Sequence, residues 1–183
     1  SKKILLGISG GIAAYKTPLL VRVLINHGAE VKVIMTPSAK DFVTPLTLST
    51  LSKNTVLSTF ISEDQDNPTW NDHVALAQWA DLVLIAPATS NTISSMAHGR
   101  CNNLLIATYL SAKCPVFIAP AMDLDMYSHS SNQKNMENLI AYGNHVLPVG
   151  EGFLASGLEG KGRMLEPNAI ATYLVSFFNP ELE

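Results

Sequence analysis

Gly7-Ile8-Ser9-Gly10-Gly11-Ile12 closes the first apolar run of the chain and opens a helix-length segment. Backbone N–H groups at a helix start, flanked by glycines and a hydroxyl, make a site for one phosphate. The spacing is not the G-x-G-x-x-G of dinucleotide binding. Nor is it a Walker A loop, because Tyr15 stands where a glycine should precede Lys16-Thr17. A dinucleotide and ATP are therefore disfavoured, and a single phosphate is favoured. Met35-Thr36-Pro37-Ser38-Ala39 repeats the theme after the second apolar run, and Ala86-Pro87-Ala88-Thr89-Ser90-Asn91-Thr92 and Ala119-Pro120-Ala121-Met122-Asp123 end two more. Small residues let a flat ligand lie close to the backbone, while hydroxyl and amide groups read its edge. The four ends together point to a mononucleotide-like cofactor.

His73 follows Asp72 at a helix start, where it could move a proton. His27, His98, His129 and His145 share no spacing with a cysteine or an acidic cluster, so no metal site is expected. No G-x-S-x-G or Cys/His nucleophile arrangement is present. The glycine-rich stretch Gly150–Pro167 reads as a long loop with Lys161 and Arg163 placed to clamp an anion.

The elements that must position these groups are legible as short apolar runs. Lys3–Ile8, Val31–Met35, Leu82–Ala86, Val116–Ala119 and His145–Val149 read as strands, with Val56–Ile61 as a sixth candidate. Their unbroken hydrophobicity fits a parallel sheet buried on both faces. Helical segments lie between them: one around Leu19–Leu24 closing at Gly28, then His73–Trp79, Asn91–Ala97, Asn102–Ala112, Asn132–Tyr142 and Ala169–Phe178, with further starts at Ser38 and at Thr44-Pro45. The expected fold is α/β, a three-layer doubly wound parallel sheet of the Rossmann or flavodoxin-like kind. It forms a single domain over residues 1–183 and gathers the strand ends at one edge.

Composition narrows the function. Of 183 residues, 47% are hydrophobic and 15% charged, which supports a sizeable core. Twelve Lys and Arg against 15 Asp and Glu give a formal net charge of −3, leaving no surplus for a nucleic-acid backbone. Cys101 and Cys114 are too few for a disulfide framework and fit a reduced, cytoplasmic protein. No run is long enough for a signal peptide core or a membrane span. The low charge and a mean hydropathy of +0.19 are compatible with surface covered in an oligomer. The missing initiator Met points to a domain cut from a longer chain.

In combination, the motifs resemble those of the homo-oligomeric flavin-containing cysteine decarboxylases, and above all the branch that acts on 4′-phosphopantothenoylcysteine in coenzyme A biosynthesis. They are Ser9-Gly10-Gly11-Ile12-Ala13-Ala14-Tyr15-Lys16, His73 upstream of Trp79-Ala80-Asp81, Ala86–Thr92, Pro120-Ala121-Met122-Asp123-Leu124-Asp125-Met126-Tyr127 and Gly160-Lys161-Gly162-Arg163-Met164. The resemblance covers Lys3 to Phe178. It implies FMN bound between subunits of a homotrimer, with a dodecamer of four trimers compatible, and a ligase domain fused in longer relatives. Ser9, Gly10, Gly11, Thr36 and Ser38 would hold the phosphate. Ala86, Thr89 and Asn91 would lie along the flavin, with Met122 near the ring. Met126, Lys161 and Arg163 would face the substrate, and His73 would act across the subunit boundary. The implied chemistry is thiol oxidation to a thioaldehyde, loss of carbon dioxide, and re-reduction of the enethiolate to 4′-phosphopantetheine.

Two catalytic positions depart from the family pattern. Asp123 stands where an asparagine amide would bind the substrate carboxylate, and Ser156 stands where a cysteine would serve as acid in the reductive step. A serine hydroxyl is a far weaker acid than a thiol, so the final protonation needs another group such as Lys161. Ser156 thus favours an alternative, oxidative decarboxylation of a C-terminal peptidyl-cysteine to an enethiol. A flavin prenyltransferase would carry a Ser-Gly-Ala-Ser-Gly turn, which Ser9–Ala13 lacks. A non-catalytic, flavin-binding regulatory subunit would be expected to carry a long acidic tail, which this chain lacks.

Overall fold

Strand β1 (Lys3–Ile8) lies inside a five-stranded parallel sheet, paired with β2 (Glu30–Met35) on one side and β3 (Leu82–Ala88) on the other. β4 (Val116–Pro120) and the short β5 (His145–Val146) complete the order β2-β1-β3-β4-β5. The computed structural model describes residues 1–180. Alternate side chains of β1 feed opposite faces: Ile4, Leu6 and Ile8 join one core, Leu5 the other. The first face is covered by α1 (Thr17–Asn26), α2 (Pro45–Ser52) and α8 (Pro167–Phe178). Helices α3 (His73–Trp79), α4 (Ser90–His98), α5 (Leu104–Ser111) and α7 (Ser130–Ala141) cover the second, and α6 (Leu124–Ser128) sits between β4 and α7. With both faces covered, strands without hydrophobic alternation are what burial requires.

The chain runs from β1 out to β2, then reverses to β3, so the carboxyl ends of β1 and β3 flank the switch where open α/β sheets bind ligands. Local chemistry sets the helix starts. Thr44 accepts from the Thr47 N–H at 3.2 Å, Thr89 from Thr92 at 3.3 Å and Asn103 from Ile106 at 2.9 Å. Gly28, at φ +88, closes α1.

Several expectations are corrected. The last strand stops at Val146 rather than Val149, because Pro148 has no N–H to extend the ladder. Val56–Ile61 is not a strand of the sheet: only Leu57 touches β2, through Met35 N–H to its carbonyl at 2.8 Å and its own N–H to Val33 at 3.1 Å. Asn132–Tyr142 begins earlier and is preceded by the separate α6. Ser38 starts no α-helix but lies within a single 3₁₀ turn, Pro37–Asp41. Gly150–Pro167 is not an open loop, since β6 (Gly150–Phe153) and β7 (Glu159–Arg163) pair antiparallel as a hairpin. Among the described residues, no helix is long and apolar enough to cross a membrane.

Candidate active site

Three strand ends meet at the switch point. Ser9 is buried, and its hydroxyl donates to the Pro87 carbonyl at 2.5 Å while accepting from the Thr89 N–H at 3.0 Å. Ser9 therefore ties the β1 loop to the β3 loop, and its hydroxyl is already engaged. Thr36 and Ser38 have hydroxyls 3.4 Å apart at the end of β2, against Gly10. A Cβ at Gly10 would stand 2.3 Å from Ser38 Oγ, so only glycine lets the two loops close on each other. Gly11 sits less tightly on Thr89, whose methyl would be 3.1 Å from an added Cβ. The N–H groups that open the 3₁₀ turn Ile12–Lys16 have no acceptor within the turn. Free N–H groups beside two hydroxyls, with Gly10 and Gly11 leaving the backbone bare, suit a single phosphate. Ala86 is fully buried in β3, Thr89 caps α4, and Asn91 is exposed on its first turn.

Gly11 also belongs to a cavity of about 390 Å³, within the size range of small-molecule sites. One wall is Ile12, Tyr15 and Lys16; another is Met122 and Asp123 after β4; the third is the hairpin, through Phe153, Leu154, Ala155 and Arg163. The hairpin is held by its backbone: the Met122 N–H donates to the Gly162 carbonyl at 2.9 Å. Gly162 (φ +146) and Gly160 (φ +154) allow that approach, because a Cβ would come 2.1 Å from Met122 O and 2.8 Å from Leu124 Cδ1, respectively.

The cavity's charges are organised by Glu166. Its Oε1 lies 2.5 Å from Lys16 Nζ and 3.6 Å from Arg163, so one carboxylate draws both cations together. The Lys16 side chain is only 11% exposed. Arg163 crosses the hairpin over Gly152, where an added Cβ would lie 2.5 Å from its guanidinium. Asp123 Oδ1 accepts from the Leu124 N–H at 2.7 Å. Two cations, both drawn toward Glu166, and the Asp123 carboxylate thus border one pocket, a set of charges suited to a polar, charged ligand.

The structure brings Met122, Asp123 and Arg163 together at this cavity, next to the loops of Ser9, Gly10, Gly11, Thr36, Ser38 and Thr89. It leaves four predicted groups outside it. Lys161 is exposed and sits 4.0 Å from Glu151 across the hairpin. Met126 is half exposed on α6. Ser156 lies at the hairpin tip, accepting from the Leu158 N–H at 3.2 Å, although its neighbour Ala155 reaches the cavity. His73, at the start of α3, does not line the cavity of its own chain. Lys16, which sequence reasoning does not single out as a binding group, lines the cavity. The signal was its place five residues after Gly11, at the end of a short turn.

Known proteins place this geometry. Over 137 residues, 75% of this chain, it is 56% identical to a cysteine/cysteine sulfinic acid decarboxylase from an unknown prokaryotic organism. Over 181 residues, 99% of this chain, it is 45% identical to the coenzyme A biosynthesis bifunctional protein CoaBC of Vibrio cholerae serotype O1. These matches span 38% and 45% of the relatives, so the chain covers less than half of their length. Among solved structures, a cysteine-to-serine variant of PPC decarboxylase complexed with pantothenoylaminoethenethiol superposes with a TM-score of 0.85 at 31% identity, over 97% of this chain and 98% of that one. The FMN-dependent cysteine decarboxylase SpaF gives 0.78 at 28%, over 96% and 97%. A parallel sheet with a phosphate-sized loop cluster at its switch point, together with the flavoprotein family profile that matches residues 1–179, makes this chain a member of the Flavoprotein family.

Proposed function

We propose that the chain binds FMN at the Ser9–Gly11, Thr36–Ser38 and Ala86–Asn91 loops and decarboxylates 4′-phosphopantothenoylcysteine to 4′-phosphopantetheine. One observation carries the reading: the cation pair Lys16 and Arg163 faces a cavity that shares Gly11 with the phosphate loops, so an anionic substrate bound there lies beside the cofactor. The similarity to CoaBC over almost the whole chain and to PPC decarboxylase supports it. Bound FMN supplies removal of hydride from the thiol-bearing carbon and its return after carbon dioxide has left. The protein's share is placement and protons. The backbone N–H groups of Gly10, Ile12 and Ala13, with the Thr36 and Ser38 hydroxyls, hold the cofactor phosphate, while the Gly11 N–H donates to the Ser9 carbonyl at 3.1 Å. Lys16 and Arg163 hold the substrate's anionic end. Asp123 meets the substrate carboxylate by sharing a proton with it, because two ionised carboxylates side by side repel. His73, reaching the site from a neighbouring subunit of a homotrimer, takes the thiol proton in the oxidative step and gives a proton back to the enethiolate carbon in the reductive one. A dodecamer of four trimers is compatible with this arrangement, and a fused ligase domain accounts for the greater length of the CoaBC relatives. The reduced thiols of Cys101 and Cys114 fit a cytoplasmic setting.

A second reading has its own support. Asp123 places a carboxylate in the pocket that holds Lys16 and Arg163, and such a set also suits the ammonium and carboxylate of free cysteine. The relative at 56% identity bears a name of that kind. Ser156 in turn fits release of an enethiol from a C-terminal cysteinyl peptide. Measuring kcat/KM of the flavin-loaded protein for 4′-phosphopantothenoylcysteine, free cysteine and a C-terminal cysteinyl peptide separates the three. The coenzyme A reading requires the first substrate to lead by at least about tenfold, the discrimination of one well-placed ionic contact.

A further inference from the structure

The segment between α2 and α3 does more than connect them. Thr59 to Asn71 folds back as a narrow ribbon: the Ser62 N–H donates to Thr69 O and the Asn71 N–H to Phe60 O, each at 2.8 Å, and Ile61 bridges Trp70. The Asn71 side chain closes it with a 2.8 Å bond to Thr59 O. The ribbon delivers the chain to Asp72, whose Oδ1 accepts from the Val74 and Ala75 N–H groups at 2.9 and 3.1 Å and so starts α3 at His73. The backbone of His73 is thereby fixed. Its ring is held differently. Phe60 and Trp70 stack with centroids 5.9 Å apart, and both meet the imidazole nearly edge-on, at 6.1 Å and 90° and at 6.3 Å and 72°. His73 Nδ1 is buried and has no hydrogen-bond partner among the described residues. An imidazole that moves protons is usually oriented by a carboxylate or carbonyl on its second nitrogen. Among the described residues, two aromatic rings flank the imidazole instead.

We propose that Trp70, braced by Phe60, is a positioning residue that fixes the ring of His73 through aromatic contact in place of a hydrogen bond. The proposal rests on the reading of His73 as the proton-transfer group. Trp70 is 59% exposed, so its removal leaves the core intact. Its role is to deny the imidazole its alternative rotamers, which makes Trp70 a determinant of turnover and not of binding.

The test compares Trp70→Ala and Trp70→Phe with the unmodified holoenzyme. The Ala variant is expected to keep its FMN absorbance and its KM for 4′-phosphopantothenoylcysteine within about twofold, and to lose roughly 10- to 100-fold in kcat, the range that a misplaced acid–base group costs. The Phe variant restores most of kcat, because a ring edge is retained. In ¹³C-histidine spectra, the His73 resonance (identified by its absence in His73→Asn) moves and broadens in Trp70→Ala but stays close to its original position in Trp70→Phe. An unchanged kcat and unmoved resonance in Trp70→Ala overturn the proposal, as does a loss confined to KM or FMN content. If the unmodified protein decarboxylates none of the cysteine substrates, the reading of function fails, and the resonance of His73 alone decides whether Trp70 holds its ring.

Discussion

Replacing Gly10 by alanine tests the phosphate site with a single methyl group. The new Cβ would lie 2.3 Å from Ser38 Oγ, 2.8 Å from Ser38 Cβ and 3.0 Å from the Ser38 carbonyl carbon. Only the first contact is made by the end of a side chain; the third is backbone, so the turn Pro37–Asp41 must withdraw from the β1 loop. Overpacking of this kind costs about 1–3 kcal/mol. If the displacement falls on the loops that hold the phosphate, it corresponds to roughly 5- to 150-fold in FMN affinity. Ser38→Ala removes the 2.3 Å contact but leaves the other two. The double variant Gly10→Ala/Ser38→Ala should therefore recover part of the thermal stability that Gly10→Ala loses, while its FMN affinity stays below that of the unmodified protein, because the Ser38 hydroxyl is lost to the phosphate as well. The assay is quenching of flavin fluorescence on titration into the apoprotein, with thermal unfolding followed in parallel. Gly11→Ala serves as the graded control: its Cβ meets a rotatable Thr89 methyl at 3.1 Å, and a smaller loss is expected. Gly10→Ala with undiminished FMN affinity would refute the placement of the phosphate between these two loops.

Three further expectations follow from particular contacts. Gly162→Ala puts a Cβ 2.1 Å from Met122 O at φ +146, so it should lower stability by about 2–4 kcal/mol from backbone strain and the lost Met122–Gly162 bond, and raise KM as the hairpin lifts; calorimetry and steady-state kinetics check both. Asp123→Asn replaces a carboxylate that must share a proton with an amide that donates to the substrate carboxylate, so KM for 4′-phosphopantothenoylcysteine should fall; a tenfold rise instead would mean that Asp123 binds a cationic group, as free cysteine requires. Burial pushes the Cys114 thiol up from its ordinary range, so at a given pH less of it is thiolate. Alkylation followed by mass spectrometry should label exposed Cys101 first and Cys114 only as the pH is raised, and equal rates near neutrality would contradict the burial of Cys114.

How much of this was legible in the sequence depends on how local the signal is. The four long strands and the helix start at Thr44 could be read directly, because continuous apolar runs and capping side chains act within a few residues, whereas the caps Thr89 and Asn103 stand a residue or two away from the expected helix starts Asn91 and Asn102. The hairpin could not, since a strand pair of Gly150-Glu151-Gly152-Phe153 against Glu159–Arg163 has neither alternation nor β-branched residues. Its glycines looked like hinges. In the structure Gly160 and Gly162 are close-approach sites, which depend on Met122 and Leu124 far away in the chain. Lys16 escaped notice for the same reason: its partner Glu166 is 150 residues distant. The sequence points Ser9 at the phosphate, whereas in the structure its hydroxyl bonds the end of β3, a pairing that only the sheet order creates. Trp70 carried no pattern at all, and its place beside His73 exists only once the ribbon has folded.

The most direct test of the central claim is the mass of the product formed when the FMN-loaded protein is incubated with 4′-phosphopantothenoylcysteine in the absence of oxygen. The account predicts 4′-phosphopantetheine, with the flavin returned to its oxidised spectrum. Unaltered substrate would contradict the assigned activity. An enethiol two hydrogens lighter, with bleached flavin, would contradict the claim that a chain with Ser156 completes the reductive step.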